Sequence, residues 1–321
     1  MVYGPADTNS VGFDRTARYG AGLMNTVRTM PHPEALPATN AGVFEIAEQP
    51  ALALAALGLL GLGILGMIYG DFAMVWQPVA AWIPGRAALA YLTGMLECVT
   101  AIGLVFRATS RWAVRVLFPG VILWQLLKVP EIVLGGTHLG AYLSWGETAI
   151  LLAGGWALFA RLADLPAGSP FAFLTTQRGL RMMRIYYGLC IIPIGLSHIV
   201  FREATIDLIP MWLPDRAFFA WLTGIGQIAS GLGLIFNVLP RVAAWAEAAQ
   251  LWIYTLLIWV PAVVFGPNTD VQAVFGAGGG ARMPWTALLV TWFPAACALA
   301  VAQGFAAQPP QRTGAPNRAA A

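Results

Sequence analysis

Charge is what this sequence has least of. Asp, Glu, Lys and Arg make up 10% of its 321 residues, against about 25% in a soluble domain, while 58% of the chain is hydrophobic and the mean hydropathy is +0.69. So little charge cannot cover a watered surface, and a soluble fold is excluded. The basic residues are nearly all arginine, with Lys128 the one lysine. They form no cluster interleaved with aromatics, which excludes a nucleic-acid-binding face. Cys98, Cys190 and Cys297 each stand alone in an apolar run without a CxxC pattern. That argues against a structural disulfide, a zinc site or an iron–sulfur cluster, and for small buried hydrophobes. Of His32, His138 and His198 only the last lies in an apolar run, so the chain lacks the histidine pair of a b-type haem. A GxxxxGK[ST] loop, a GxGxxG in a strand–helix setting and an HExxH pair are all missing. No intrinsic cofactor or metal site is expected, and no motif specifies a catalytic activity.

What is present is a series of long apolar runs. A membrane-crossing helix needs roughly 20 mostly apolar residues in a row, and about eight segments qualify: Ala51–Tyr69, Ala87–Phe106, Trp112–Leu134, Ala141–Ala160, Met182–Phe201, Ala217–Phe236, Arg241–Phe265 and Trp285–Gly304. The expected fold is an all-α integral membrane protein. Arginines concentrate before the first span (Arg15, Arg18, Arg28), around the second and third (Arg107, Arg111, Arg115), between the fourth and fifth (Arg161, Arg178, Arg181, Arg184), at Arg241, and at Arg312 and Arg318. The positive-inside rule then places both termini in the cytoplasm. No apolar core stands near Met1, so the first span is expected to be an uncleaved anchor, and Phe44–Ala47 is a candidate interfacial helix. Arginine, alanine and glycine usage points to a GC-rich bacterial genome, hence a bacterial plasma membrane.

The second half repeats the first. Trp82-Ile83-Pro84-Gly85-Arg86-Ala87 returns as Trp212-Leu213-Pro214-Asp215-Arg216-Ala217. Leu92-Thr93-Gly94 returns as Leu222-Thr223-Gly224, Gly103-Leu104 as Gly233-Leu234, Phe106 as Phe236 and Arg111 as Arg241, all at one offset. A repeat is read before any local motif. It divides the chain into a tail (1–49), a first four-helix unit (50–162), a linker (163–180), a second four-helix unit (181–306) and a closing tail (307–321). Each unit crosses an even number of times, so the expectation is two parallel four-helix bundles, not inverted repeats. The connections Gly70–Arg86 and Arg202–Arg216 are rich in Trp, Pro and Ile. They are expected in the outer interface or folded back over the bundle, with Trp76, Trp82 and Trp212 in an aromatic belt and the Pro of Trp-x-Pro opening the next helix. The glycine run Gly276–Gly280 reads as a flexible link.

Polar residues inside spans are costly, roughly 2.5–3.5 kcal/mol for a charge at a helix centre, and mark functional candidates. Thr93 and Glu97 are four apart and share a face; Thr223 and Gln227 occupy the matching positions. They have two readings: an interhelical hydrogen bond that locks the bundle, or a group that binds or protonates a ligand. Aligning Gly66 with Gly195 matches Tyr69 to His198 and Phe72 to Phe201; His198 is either an interfacial histidine or a proton-exchanging ligand group. Lys128 and Glu131 are expected to pair, with Lys128 snorkelling outward. Glu131, His138 and Glu147 could meet near the outer surface, and Glu247 and Gln250 lie within span seven.

Each half resembles a DoxX-like four-helix membrane protein. In the second half the resemblance rests on Gly195-Leu196-Ser197-His198, Pro210-Met211-Trp212-Leu213-Pro214, Thr223-Gly224-Ile225-Gly226-Gln227 and Gly231-Leu232-Gly233-Leu234. In the first half it rests on Trp82-Ile83-Pro84, Thr93-Gly94-Met95-Leu96-Glu97 and Gly103-Leu104. Gln227 departs from the family's acidic position and Tyr69 from its histidine, so neither half holds the full set. The family includes small subunits associated with quinol oxidases and thiosulfate:quinone oxidoreductases. The resemblance therefore implies a quinone as ligand, a membrane or peripheral oxidoreductase as partner, and Tyr69, Thr93, Glu97, His198, Thr223 and Gln227 as ligand-binding residues. A non-enzymatic scaffold or assembly protein and a small-molecule transporter are the competing readings.

Overall fold

The computed structural model describes residues 50–73, 76–166, 168–266 and 282–306. Both tails, the segment Phe44–Ala47 and the run Gly276–Gly280 lie outside them. The described chain is helical: α1 Pro50–Tyr69, α2 Arg86–Val105, α3 Arg107–Leu127, α4 Val129–Gly135, α5 Leu139–Leu162, α6 Gln177–Val200, α7 Arg202–Leu208, α8 Arg216–Phe236, α9 Pro240–Tyr254, α10 Val260–Val264 and α11 Arg282–Ala306. A π-helical turn, Thr255–Trp259, joins α9 to α10. Eight helices, counting α3–α4 and α9–α10 as one each, are long and apolar enough to cross a membrane. The protein is an all-α integral membrane protein.

Glycine sets the closest helix contacts. Lipid is as apolar as leucine, so helices in it associate through packing, and small residues let backbones approach. A methyl group added at Gly195 would stand 2.6 Å from the Gly224 carbonyl oxygen, and one at Gly188 would stand 2.6 Å from that of Gly231. These two contacts, one heptad apart, seat α6 on α8. In the first half Gly63 and Gly94 meet in the same way, with 2.7 Å from a Gly94 methyl to the Gly63 oxygen. This close approach pairs Gly195 with Gly63, not with Gly66. The register of the first helix therefore differs from the expected one: the place of His198 is held by Gly66, and Tyr69 corresponds to Phe201.

The quartets are not closed on themselves. Within each half, neighbours in sequence pack in order: α1 on α2, α2 on α3, α3 on α5, and then α6 on α8, α8 on α9, α9 on α11. The ring is completed across the halves, because α1 packs on α11 and α6 on α5, while α5 and α11 cross at the centre. Gly154 of α5 lies flat against Cys297 of α11. The two expected bundles thus form one eight-helix body sharing a central helix pair.

The connections end in matched turns. Gly85 and Asp215 both take left-handed backbone before α2 and α8. The Asp215 carboxylate caps α8 by accepting the Phe218 N–H at 3.1 Å. Pro84 and Pro214 precede this turn instead of opening the helix, because the chain must reverse before it can wind. Arg86 and Arg216 then tie each connection down: Arg86 Nε donates to Val79 O at 3.1 Å and Arg216 Nε to Ile206 O at 3.0 Å. Trp82 and Trp212 are exposed, as a belt requires, but Trp76 is 3% exposed and packs against Phe293 in the core. The first connection folds inward because its indole fills space that the second half leaves open.

Candidate functional site: two corresponding cavities

The third helix of each half is interrupted, and in the second half the interruption lines a cavity. Proline lacks an N–H and clashes with the preceding turn. Ahead of Pro130 the helix breaks at Lys128, which ends α3 and starts α4. Ahead of Pro261 the backbone widens into the π turn instead, a form of bulge that recurs at functional sites.

The first cavity measures about 140 Å³ and lies between α1, α2 and α3, with Thr93, Glu97, Leu117, Gly120 and Trp124 in its wall. The second measures about 460 Å³ and lies between α5, α6, α8, α9, the π turn and α11, with Thr223, Gln227 and Tyr254 at the corresponding places. The size difference has a plain cause. Trp76 and Gln77 enter the first cavity from the connection, whereas the second connection forms α7 and covers its cavity as a roof of Ala204, Thr205, Leu208 and Ile209. The expectation that this connection folds back over the bundle holds there.

Beside each cavity stands one Glu–Gln pair, with the partners exchanged: Gln77 and Glu97 both line the first, while of the second pair only Gln227 reaches the cavity wall. In the first, Gln77 Nε2 donates to Glu97 Oε1 at 2.5 Å. In the second, Gln227 Nε2 donates to Glu247 Oε1 at 3.2 Å. Gln227 and Glu247 are fully buried, and Glu247 Oε2 has no hydrogen-bond partner among the described residues. Of the interhelical hydrogen bonds read here, Gln227 makes one, from α8 to Glu247 on α9, whereas Glu97 is held by Gln77 of the connection and not by a neighbouring helix.

His198 is set by Thr223. The Thr223 hydroxyl has one proton and donates it to the Phe219 carbonyl at 2.9 Å. His198 Nδ1, 3.0 Å from Thr223 Oγ1, is therefore the donor of that pair, which leaves Nε2 as an acceptor while the ring is neutral. Gln250 Nε2 donates to Thr223 O at 2.9 Å and also to the Tyr254 hydroxyl. Tyr254 lines the cavity, and its ring lies 5.6 Å from that of His198. The result is an apolar chamber with a small polar wall of His198, Thr223, Gln250 and Tyr254.

The six candidate residues do not form one site. Thr93 and Glu97 line the first cavity; His198, Thr223 and Gln227 line the second. Tyr69 borders neither: it ends α1, half exposed, with the Arg282 guanidinium 5.1 Å from its ring centre. Sequence reasoning missed Tyr254, although Glu247, Gln250 and Tyr254 repeat at helical spacing and mark a polar stripe on span seven. It also missed that Glu147 lines the second half's cavity, because no local pattern reveals a contact across halves. Lys128 does not snorkel. It is 2% exposed and turns inward, donating to Glu131 Oε2 at 3.1 Å and to Ser144 Oγ. His138 is exposed at the start of α5, apart from that cluster. No group of His, Cys, Asp and Glu suited to a metal ion occurs among the described residues.

Comparison with known proteins gives one match. Residues 179–262 match the family model of DoxX, a stretch that takes in α6 to α9, the π turn and the start of α10, and with them most of the second cavity. No curated protein and no solved structure matches the chain. This is a membrane protein with a DoxX-like stretch, residues 179–262, which supplies most of the wall of the larger cavity.

Proposed function

We propose that the second cavity binds a quinone and that the protein serves as a quinone-binding or accessory subunit of a membrane oxidoreductase. The observation that carries this reading is an apolar chamber of about 460 Å³ with a few convergent polar groups, which is the usual composition of a small-molecule site. A quinone joins a flat apolar ring to carbonyl oxygens that accept hydrogen bonds. The Tyr254 hydroxyl is a donor for one of them, and His198 becomes a second when its Nε2 takes a proton. The first cavity, occupied by Trp76 and Gln77, then has a supporting role, in keeping with two copies of a duplicated unit that have diverged. The same reading places the protein in a bacterial plasma membrane with both termini cytoplasmic, its partner oxidoreductase supplying electrons to the held quinone.

The test is titration of the purified protein in detergent with decylubiquinone, followed by quenching of tryptophan fluorescence. Saturable quenching is expected. Tyr254→Phe and His198→Ala weaken it by about tenfold each, equivalent to roughly 1.4 kcal/mol, and Glu97→Gln leaves it unchanged. Quenching that does not saturate overturns the proposal, and silent polar variants favour the scaffold reading.

A further inference from the structure

We propose that Glu147, carried by the first half, exchanges a proton with the ligand held by the second half, and that Lys128, Ser144 and Glu131 connect it to the protein surface. This rests on the quinone reading above. Glu147 sits on α5, in the cavity wall opposite in origin to the DoxX-like stretch. One helical turn before it on the same face, Ser144 Oγ donates to Glu131 Oε2 at 3.1 Å and accepts from Lys128 Nζ. Glu131 lies at the protein surface near the end of its span, its side chain 40% exposed, while Lys128 is closed in.

Counting charges gives the cluster its chemistry. One ammonium faces two carboxyl groups in a low-dielectric setting, where an uncompensated charge is costly. One proton makes the group neutral, and it is shared by coupled sites. From the other elements the polar groups in the cavity wall are Ser197 and His198 on α6, Thr205 on α7, Thr223 and Gln227 on α8, Tyr254 on α9 and Thr291 on α11; none of them carries a fixed charge. Reduction of a quinone to a quinol takes two electrons, here from the partner oxidoreductase, and two protons. Glu147 supplies one: its O–H bond breaks as the new bond to the ligand oxygen forms. To restore the proton, Glu131 first takes one from water and passes it to the Ser144 oxygen as that hydroxyl, turned from Glu131 to Glu147, gives its own to the carboxylate left behind; Glu131 ends again as the carboxylate paired with Lys128. The other proton reaches the opposite oxygen by a separate route.

Infrared difference spectroscopy on the purified full-length protein, with decylubiquinone as the probe, tests this. Binding is expected to shift the C=O stretch of a protonated carboxyl. The shifted band vanishes in Glu147→Gln and survives in Glu97→Gln and Glu247→Gln. Ser144→Ala, which keeps every charge, slows deuterium exchange of that band about tenfold or more. Normal fluorescence quenching together with a band that is absent, or that survives Glu147→Gln, overturns the relay and leaves the binding site standing. Unchanged exchange in Ser144→Ala overturns the route through Ser144. Absence of quenching removes the binding site and the relay with it.

Discussion

Gly224 illustrates how much a single position carries. It faces the Gly195 carbonyl with 2.8 Å to spare for a methyl group, less than a real side chain can use, while the Ile199 and His198 side chains close in from the sides at 2.9 and 3.2 Å. Because the obstacle includes backbone, Gly224→Ala must push α8 from α6 and take Thr223 with it. Overpacking of this kind costs about 1–3 kcal/mol. Thermal unfolding in detergent should show a lower midpoint for Gly224→Ala, and decylubiquinone binding should weaken with it. At Gly120, where nothing lies within 4 Å, the same exchange removes a flexible residue from mid-helix and should be neutral or stabilising, by about 0.5–1 kcal/mol. A Gly224→Ala protein as stable as the parent would show that the α6–α8 contact is looser than its geometry implies.

Elements are fastened at their ends by charge. After α1, Asp71 accepts from Arg86 on α2 and, at 3.0 Å, from Arg282 on α11, while Arg282 Nη2 also donates to Phe72 O at 2.7 Å. This tie joins the first connection to the last helix and holds the segment that carries Trp76 inward. Burial works against the Asp71 charge, but the hydrogen bonds from Arg282, Arg86 and the Phe72 N–H outweigh it and hold the carboxyl below its ordinary value of 3.8. A carboxyl with a depressed folded-state pKa stabilises the fold above its unfolded value, and that contribution is lost as pH falls through the depressed one. Asp71→Asn should therefore unfold at a lower temperature than the parent at neutral pH, and the gap should close below pH 3.8, where the parent's carboxyl also becomes neutral. A gap that persists unchanged into acid would mean that the carboxylate charge is not what holds this junction. The π turn interrupts the regular helix ahead of Pro261, and its Leu257, Ile258 and Trp259 line the second cavity together with Tyr254.

At the scale of the molecule, hydropathy was enough to read eight spans, since burial in lipid depends on composition alone. Pairing across the halves was not legible. The central helices α5 and α11 meet through Gly154, Cys297 and neighbouring alanines, residues too small and uniform to carry a periodic signature. The candidate site was half legible: Glu97, His198, Thr223 and Gln227 stand out as polar groups among apolar ones, and each does line a cavity. Tyr69 was misplaced because an alignment of glycines in one helix cannot tell which of them touches its neighbour. Trp76 and Lys128 were misread because a connection's inward fold, and a lysine's inward turn, depend on partners distant in sequence. What emerges is one body with two unequal chambers, one occupied by its own side chains and one open to a guest. The most direct measurement is photolabelling of the membrane-embedded protein with an azido-quinone, followed by peptide mapping. Labels on α6, α9 and the π turn, competed away by decylubiquinone, are the predicted result. Saturable labelling confined to α1, α2 and α3, or labelling that decylubiquinone does not displace, would contradict it.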